Sequence, residues 1–260
     1  MEWFPGNRPT ASEKEADKHM EQGKKALAKL NPDIFIGVEI RDWAAFHELC
    51  SAVPGLTVHV VSSFFDPETG EIRPQQIGIA SKLKCRAALW EPWQANVPNL
   101  SRGFSFAALE HPSGALLMIY GNHFKSNRGS DTPEGAQSVA DMRNESANQL
   151  VMHRDKMRVA FSNHEIMGWI VAGDFNTNHD GQFPLCRAIE ILMSSGLYDT
   201  WTNTPPEKRH TWLPDKDTDF KPTTFDFILT DGIKRQDAIL IDMEEGMSDH
   251  PPIGLLIEPE

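Results

Sequence analysis

The chain has 260 residues, 40% of them hydrophobic and 24% charged. These are ordinary globular proportions, which exclude a disordered, collagen-like or coiled-coil protein. The longest apolar run, Ala115–Tyr120, falls far short of the roughly 18 residues that a membrane helix requires. Net charge is −12 and unevenly placed: 17 acidic and 7 basic residues lie from Asp174 onward, against 20 and 18 before it. An acidic chain cannot hold a polyanion by a general positive field, so a phosphate-bearing substrate needs a divalent cation or a local basic patch. Cys50, Cys85 and Cys186 lie far apart without C-x-x-C spacing. That argues against a disulfide framework and a thiolate zinc site, and it suits a reducing compartment.

In chain order, Ser12-Glu13-Lys14-Glu15 is a capping box that opens a helix carrying Ala16, Met20, Leu27 and Leu30 on one face. Asn31-Pro32 stops it. Asp33–Val38 is a short apolar strand ending at Glu39, and Trp43–Val53 reads as a helix closed by Pro54-Gly55. Thr57–Ser63, Gln76–Ser81 and Ala87–Leu89 read as strands. Phe104–Glu110 and Ala115–Tyr120 flank Pro112-Ser113-Gly114, the signature of a hairpin with a longer loop. Asn122–Glu134 reads as a loop, a long helix is expected from about Pro133 to Ser162, and Met167–Ala172 is a buried strand. Phe183–Ser195 is helical in pattern, and Thr223–Thr230, Ala238–Ile241 and Ile253–Ile257 close the chain as strands. Helices and strands interleave without a composition break, so a single α/β domain over residues 1–260 is expected, its mixed sheets covered by helices.

Several polar residues fall where apolar strands end: Glu39, His123, Asp174 with Asn176, and Asp249-His250 before the last strand. Strand ends gather active sites because the sheet fixes direction while the loop leaves the side chain accessible. Each has a plain alternative: a solvated loop glutamate, a turn histidine, an Asx-turn in Gly-Asp-Phe-Asn, a turn in Ser-Asp-His-Pro. Asp226, inside Thr-Phe-Asp-Phe-Ile-Leu, is the hardest to dismiss. An aspartate within an apolar strand needs a partner, and a histidine is the natural one.

Five blocks together resemble the endonuclease/exonuclease/phosphatase superfamily, the DNase I-like metal-dependent phosphoesterases. They are Gly37-Val38-Glu39-Ile40, Gly121-Asn122-His123-Phe124-Lys125-Ser126, Gly173-Asp174-Phe175-Asn176, Thr224-Phe225-Asp226-Phe227-Ile228 and Ser248-Asp249-His250-Pro251, in the family's order across almost the whole chain. The resemblance implies a four-layered α/β/β/α sandwich of two mixed β-sheets, with the site at one end. It implies that Glu39, helped by Asp249, binds a divalent cation, Mg²⁺ or else Mn²⁺, as suits hard carboxylate oxygens. Asp174 would orient and deprotonate the attacking water, Asn176 would touch the phosphoryl oxygen or nucleophile, and His123 would contact a non-bridging oxygen. Asp226 would pair with His250, favouring its imidazolium.

For substrate, Lys125, Arg128 and either Arg73 or Arg102 could supply phosphate contacts, and Trp212 could stack on a base or sugar or else pack on its own loop. A nuclease cutting DNA or RNA is the first expectation, acting as a monomer. A phosphatase or phosphodiesterase on a small-molecule or lipid phosphoester is the alternative, and a catalytically inactive interaction protein the third. Family members open with an apolar strand ending in an asparagine, whereas Met1–Gly6 resembles the stretch just after it. The expectation is a domain that is N-terminally incomplete, with Met1 an internal methionine. Localisation follows that point: cytoplasmic if the start is genuine, secreted or periplasmic if an upstream signal precedes it.

Overall fold

A computed structural model of the chain describes residues 12–66, 69–73, 75–94, 102–214, 221–234, 236–242 and 248–257. The stretch on which the missing-first-strand expectation rests lies outside them. The elements run α1 (Glu13–Leu30), β1 (Ile34–Ile40), α2 (Trp43–Cys50), β2 (Thr57–Val61), β3 (Gln76–Ser81), β4 (Lys84–Pro92), β5 (Gly103–Glu110) and β6 (Leu116–His123). There follow α3 (Pro133–Ala160), β7 (Ile166–Asp174), α4 (Ala188–Ser194), β8 (Tyr198–Asp199), β9 (Asp226–Asp231), β10 (Ile239–Leu240) and β11 (Ile253–Gly254).

One sheet has the order β1-β3-β2 and is antiparallel throughout. The larger has the order β4-β5-β6-β7-β9-β8 and is mixed, because β6 and β7 run parallel across the crossover helix α3. The two-residue period of the strands sorts their side chains into layers. On β6, Leu116, Met118 and Tyr120 join the core under α3 and α4, while Leu117 and Ile119 face the other sheet. On the smaller sheet, Ile79 and Val60 meet that inner core, whereas Ala80 and Phe35 pack with Met20, Leu27, Phe46 and Leu49 of α1 and α2. Strands apolar on both faces read as unbroken hydrophobic runs, which is why they stand out in the sequence. The result is the expected α/β/β/α sandwich. At Gly121 the two sheets approach closely, since a Cβ there would meet Ile36 Cγ2 and Ile77 Cγ2 at 2.9 Å each.

The capping box forms as read, with Glu15 N donating to Ser12 Oγ and Ser12 N to the Glu15 carboxylate. Several boundaries differ from expectation, among them Ala87–Leu89, which is part of the longer β4, and Ile253–Ile257, of which only Ile253–Gly254 is strand. β6 extends through His123, because the Gly-Asn-His stretch pairs in register with the end of β7. The helix expected over Phe183–Ser195 begins only at Ala188, with Cys186 N bonded back to Phe183 O in a turn. The last long strand starts at Asp226, because Thr223 pairs instead with Trp212 in an isolated bridge.

Candidate active site

The register of the large sheet puts three of the singled-out residues in one row. His123 is the pairing partner of Asp174 across β6 and β7, and Asp174 is the partner of Asp226 across β7 and β9. By strand alternation they share the face of Ile119, Ala172 and Ile228, so all three point towards the smaller sheet at one end of the sandwich. The Gly before Asp174 has φ +141°, and a Cβ there would lie 2.0 Å from Asn122 O. Only glycine permits β6 and β7 to stay this close just before Asp174.

Around Asp174 the contacts are short. Asn176 N donates to Asp174 Oδ1 at 2.7 Å and Asn176 Nδ2 to Asp174 Oδ2 at 2.8 Å, the second amide hydrogen reaching Phe124 O at 3.3 Å. Both amide hydrogens of Asn176 are thus engaged within the chain, on Asp174 and on Phe124. His123 Nε2 lies 3.4 Å from Asp174 Oδ2 and 3.9 Å from Glu39 Oε1, and its buried Nδ1 has no hydrogen-bond partner among the described residues. Burial lowers the His123 imidazole well below its ordinary pKa, with the Arg102 charge adding to the effect, so the ring is neutral. Burial raises the Asp174 carboxyl to about 7, and the nearby Asp226 carboxylate pushes the same way.

His250 arrives from the loop before β11 and places Nδ1 2.7 Å from Asp226 Oδ2. Burial alone would lower this imidazole, but the Asp226 charge and hydrogen bond outweigh it and raise the pKa to about 9. The backbone of Asp226 is held in turn by Thr211, whose Oγ1 accepts from Asp226 N at 2.8 Å. Asp249, next to His250, accepts from Trp212 Nε1 at 3.1 Å, while the indole packs on Phe225 with ring centroids 5.5 Å apart.

Glu39 sits at a bulge of β1 with φ 58°, a left-handed conformation uncommon outside glycine. Gln75 Nε2 donates to its Oε1 at 2.7 Å, and Arg102 donates to Gln75 Oε1 and to Phe124 O. Gln75 (φ 75°), Arg102 (φ 72°) and Asn176 (φ 52°) share the left-handed conformation. Such costly backbone states gather where a site over-determines them. Burial raises the Glu39 carboxyl and the Asp249 charge adds to it, against the pull of Arg102 and His250.

Two carboxyls driven up by burial and by neighbouring carboxylates are what a cation would relieve. Among the described residues no group of three His, Cys, Asp or Glu side chains is arranged to enclose a metal. Carboxylate oxygens such as those of Glu39 are the ligand type of a hard divalent cation, which takes one or two carboxylates and completes its shell with water and phosphate.

The proposed phosphate contacts fare differently. Lys125 Nζ donates to Ser126 O and Arg128 O and so closes its own loop, which Arg143 of α3 anchors through Lys125 O and Asn127. Arg128 is exposed, and Arg73 is ion-paired to Asp66 at 2.9 Å. Gln75 was missed from the sequence altogether, having no strand-end placement and no motif.

No family model and no curated protein matches the chain. Solved structures do. An endonuclease/exonuclease/phosphatase family protein from Leptotrichia buccalis C-1013-b superposes with TM-score 0.62 and 15% identity over 96% of each chain. One from Bacteroides thetaiotaomicron gives 0.61 and 17% over 94% of this chain and 89% of its own. Beta toxin from Staphylococcus aureus gives 0.60 and 18% over 91% and 90%. The chain has the DNase I-like endonuclease/exonuclease/phosphatase fold, the one its five sequence blocks resemble.

Proposed function

We propose that the chain is a Mg²⁺-dependent phosphodiester hydrolase, a nuclease acting on DNA or RNA, built as one domain of this fold. The observation that carries the reading is the row His123–Asp174–Asp226, completed by His250 at 2.7 Å from Asp226. Asp174, with a pKa of about 7, accepts the proton of the attacking water, and Asn176 fixes the carboxylate in place. His250, held as imidazolium by Asp226, faces the charge that grows on the phosphoryl oxygens. His123, neutral, offers a hydrogen bond to a non-bridging oxygen without bringing a charge. Glu39 and Asp249 would hold the cation, which when bound supplies positive charge to the phosphate and lowers the barrier for an acidic protein to approach it.

The names of the similar structures support hydrolysis of phosphoesters in general and leave the substrate to the site. The test pairs plasmid nicking with hydrolysis of small phosphate esters, each with Mg²⁺ and with excess chelator. Nicking that needs Mg²⁺ and falls at least about a hundredfold in Asp174→Asn and in His250→Ala supports the reading. Turnover of small esters alone would replace it with a phosphatase or small-substrate phosphodiesterase, and full activity in chelator would remove the metal from it.

A further inference from the structure

At the site end of the sandwich, Arg102 reaches from the large sheet to the small one. It precedes β5, and Trp93 N donates to its carbonyl at 3.0 Å, continuing the pairing of Pro92 with Gly103. On the other side of β5, Phe104 pairs with Asn122, so Arg102 stands level with Phe124, just past His123. Its left-handed backbone, φ 72°, is a state that surrounding contacts must hold. Nη1 donates to Phe124 O on the large sheet, and Nη2 to Gln75 Oε1, one residue before β3 on the small sheet.

Each of these two acceptors leads to a carboxylate of the site. Gln75 passes the contact on, its Nε2 donating to Glu39 Oε1 at 2.7 Å. Phe124 O accepts a second bond, from Asn176 Nδ2 at 3.3 Å, and Asn176 holds the Asp174 carboxylate at 2.7 and 2.8 Å. Phe124 N also donates to Asp174 O at 2.8 Å. A continuous chain of hydrogen bonds thus runs Glu39–Gln75–Arg102–Phe124–Asn176–Asp174, with the guanidinium at its centre. The centre suits arginine: its planar fork offers donors in fixed directions, whereas a lysine ammonium is a point charge on a flexible stem. Burial disfavours the charge, and the Glu39 and Asp174 carboxylates offset that cost. A guanidinium that grips a phosphate commonly does so with two parallel N–H bonds. Here Nη1 and Nη2 each already serve a carbonyl oxygen of the chain.

We propose that Arg102 is a positioning residue that fixes Glu39 and Asp174 relative to each other across the two sheets, without touching the substrate phosphate. The proposal rests on the roles given above to Glu39 as cation ligand and to Asp174 as acceptor of the water proton. Cation affinity and the chemical step then depend on one side chain, although their residues stand on different sheets. A residue that gripped the phosphate would instead act on substrate affinity.

The experiment reads Mg²⁺ affinity by isothermal titration of the protein without substrate. It also reads kcat and KM on the phosphodiester that the wild type hydrolyses, plasmid DNA or bis(p-nitrophenyl) phosphate. Arg102→Lys keeps the charge and loses the fork. It is expected to weaken Mg²⁺ binding by about tenfold, the scale of a partner that orients a metal ligand. It should also lower kcat at saturating Mg²⁺ by about tenfold or more, as misplacement does. KM should stay within about threefold of the wild type, since no substrate contact is removed. Adding Gln75→Ala to Arg102→Lys should weaken Mg²⁺ binding by less than about a further threefold, because residues in one network are not additive. A raised KM with Mg²⁺ affinity and kcat intact would make Arg102 a phosphate contact and overturn the proposal, as would fully additive losses. Should Arg102→Lys fail to fold, Gln75→Ala and Asn176→Ala carry the test, since Arg102 and Phe124 join them. Their combined loss in kcat/KM at subsaturating Mg²⁺ should fall short of the product of the single losses by about threefold or more. A combined loss equal to that product would overturn the coupling. A wild type that hydrolyses neither ester with Mg²⁺ would overturn the reading of the site and the proposal with it, whereas Mg²⁺-dependent activity that Arg102→Lys leaves intact overturns the proposal alone.

Discussion

Gln75 Nε2 donates to Glu39 Oε1 at 2.7 Å, and both residues hold left-handed backbone, with φ 75° and 58°. Arg102 grips the other end of the Gln75 amide, so the two together support the orientation of the proposed cation ligand from outside the proposed ligand set. Partners that orient a metal ligand typically matter by 10- to 100-fold in metal affinity. Gln75→Ala is therefore expected to raise the Mg²⁺ concentration for half-maximal activity by about tenfold, with saturating kcat changed much less. Gln75→Asn, one methylene shorter, should recover little of it. An unchanged Mg²⁺ titration curve for Gln75→Ala would show that Glu39 needs no such support.

In the roles proposed for them, Asp174 and His250 predict a pH dependence with two limbs. Asp174, raised to about 7, must be deprotonated to accept the water proton, so activity falls as pH drops through about 7. His250, raised to about 9, is charged below that value, so activity falls again as pH rises through it. A bell with those limbs is expected for kcat/KM, moved to lower pH by bound cation. For stability, a histidine raised from 6.5 to about 9 contributes fully below about 6.5, and the contribution is lost as pH rises through about 9. NMR of the metal-free protein reads the ring directly. Asp226→Asn removes the largest of the charges that raise it, so the pKa should fall from about 9, with Asp174 and Asp249 still opposing burial. A His250 titration unmoved in Asp226→Asn would sink the dyad.

Much of this site was legible because each residue sits at a place the backbone marks. Glu39, His123 and Asp174 stand at the ends of apolar strands, and Asp226 begins one. The register that puts His123, Asp174 and Asp226 in a row follows from strands whose inner face runs Ile119-Gly121-His123, Ala172-Asp174 and Asp226-Ile228. The layers were legible for the same reason: strands buried on both faces read as continuous apolar runs. What the sequence did not disclose were contacts between residues far apart in the chain with no periodicity behind them. Gln75 reaches Glu39 across 36 positions, and Trp212 reaches Asp249 across 37. Nor could it show that Asn176 turns both amide hydrogens inward or that Lys125 closes its own loop, since either side chain could equally have faced a phosphate.

Trp212 separates two roles with one substitution. Its indole N–H holds Asp249 at 3.1 Å while its ring packs on Phe225. Trp212→Phe keeps an aromatic ring for stacking and removes only the donor. If Trp212 acts through Asp249, this variant should lose several-fold in Mg²⁺ affinity and keep its KM for substrate at saturating Mg²⁺. If instead it stacks on substrate, Mg²⁺ affinity should hold and Trp212→Ala should raise KM. The lost hydrogen bond should cost about 1 kcal/mol of stability, small enough to leave the fold intact. Isothermal titration with Mg²⁺ alongside steady-state kinetics distinguishes the two.

Gly121 ties the packing of the sandwich to the chemistry at its end. It lies two residues before His123 on the same face, where a Cβ would stand 2.9 Å from both Ile36 Cγ2 and Ile77 Cγ2 of the opposite sheet. Interiors of this density do not absorb an extra methyl without shifting, and such overpacking costs about 1–3 kcal/mol. Part of the strain is taken up by the isoleucine side chains and the rest by a slight separation of the sheets. That movement lengthens the 3.9 Å gap between His123 Nε2 on one sheet and Glu39 Oε1 on the other. Gly121→Ala is thus expected to lower Tm by about 2–12 °C, at about 2–4 °C per kcal/mol for a chain of this order of size. It should also reduce kcat by tenfold or more at saturating Mg²⁺, since a misplacement of the order of 1 Å costs about a hundredfold in a positioned reaction. Thermal unfolding and kinetics on the same preparation check both. A variant with lowered Tm but wild-type kcat would mean that the two sheets can part without disturbing the alignment of Glu39 with His123 and Asp174.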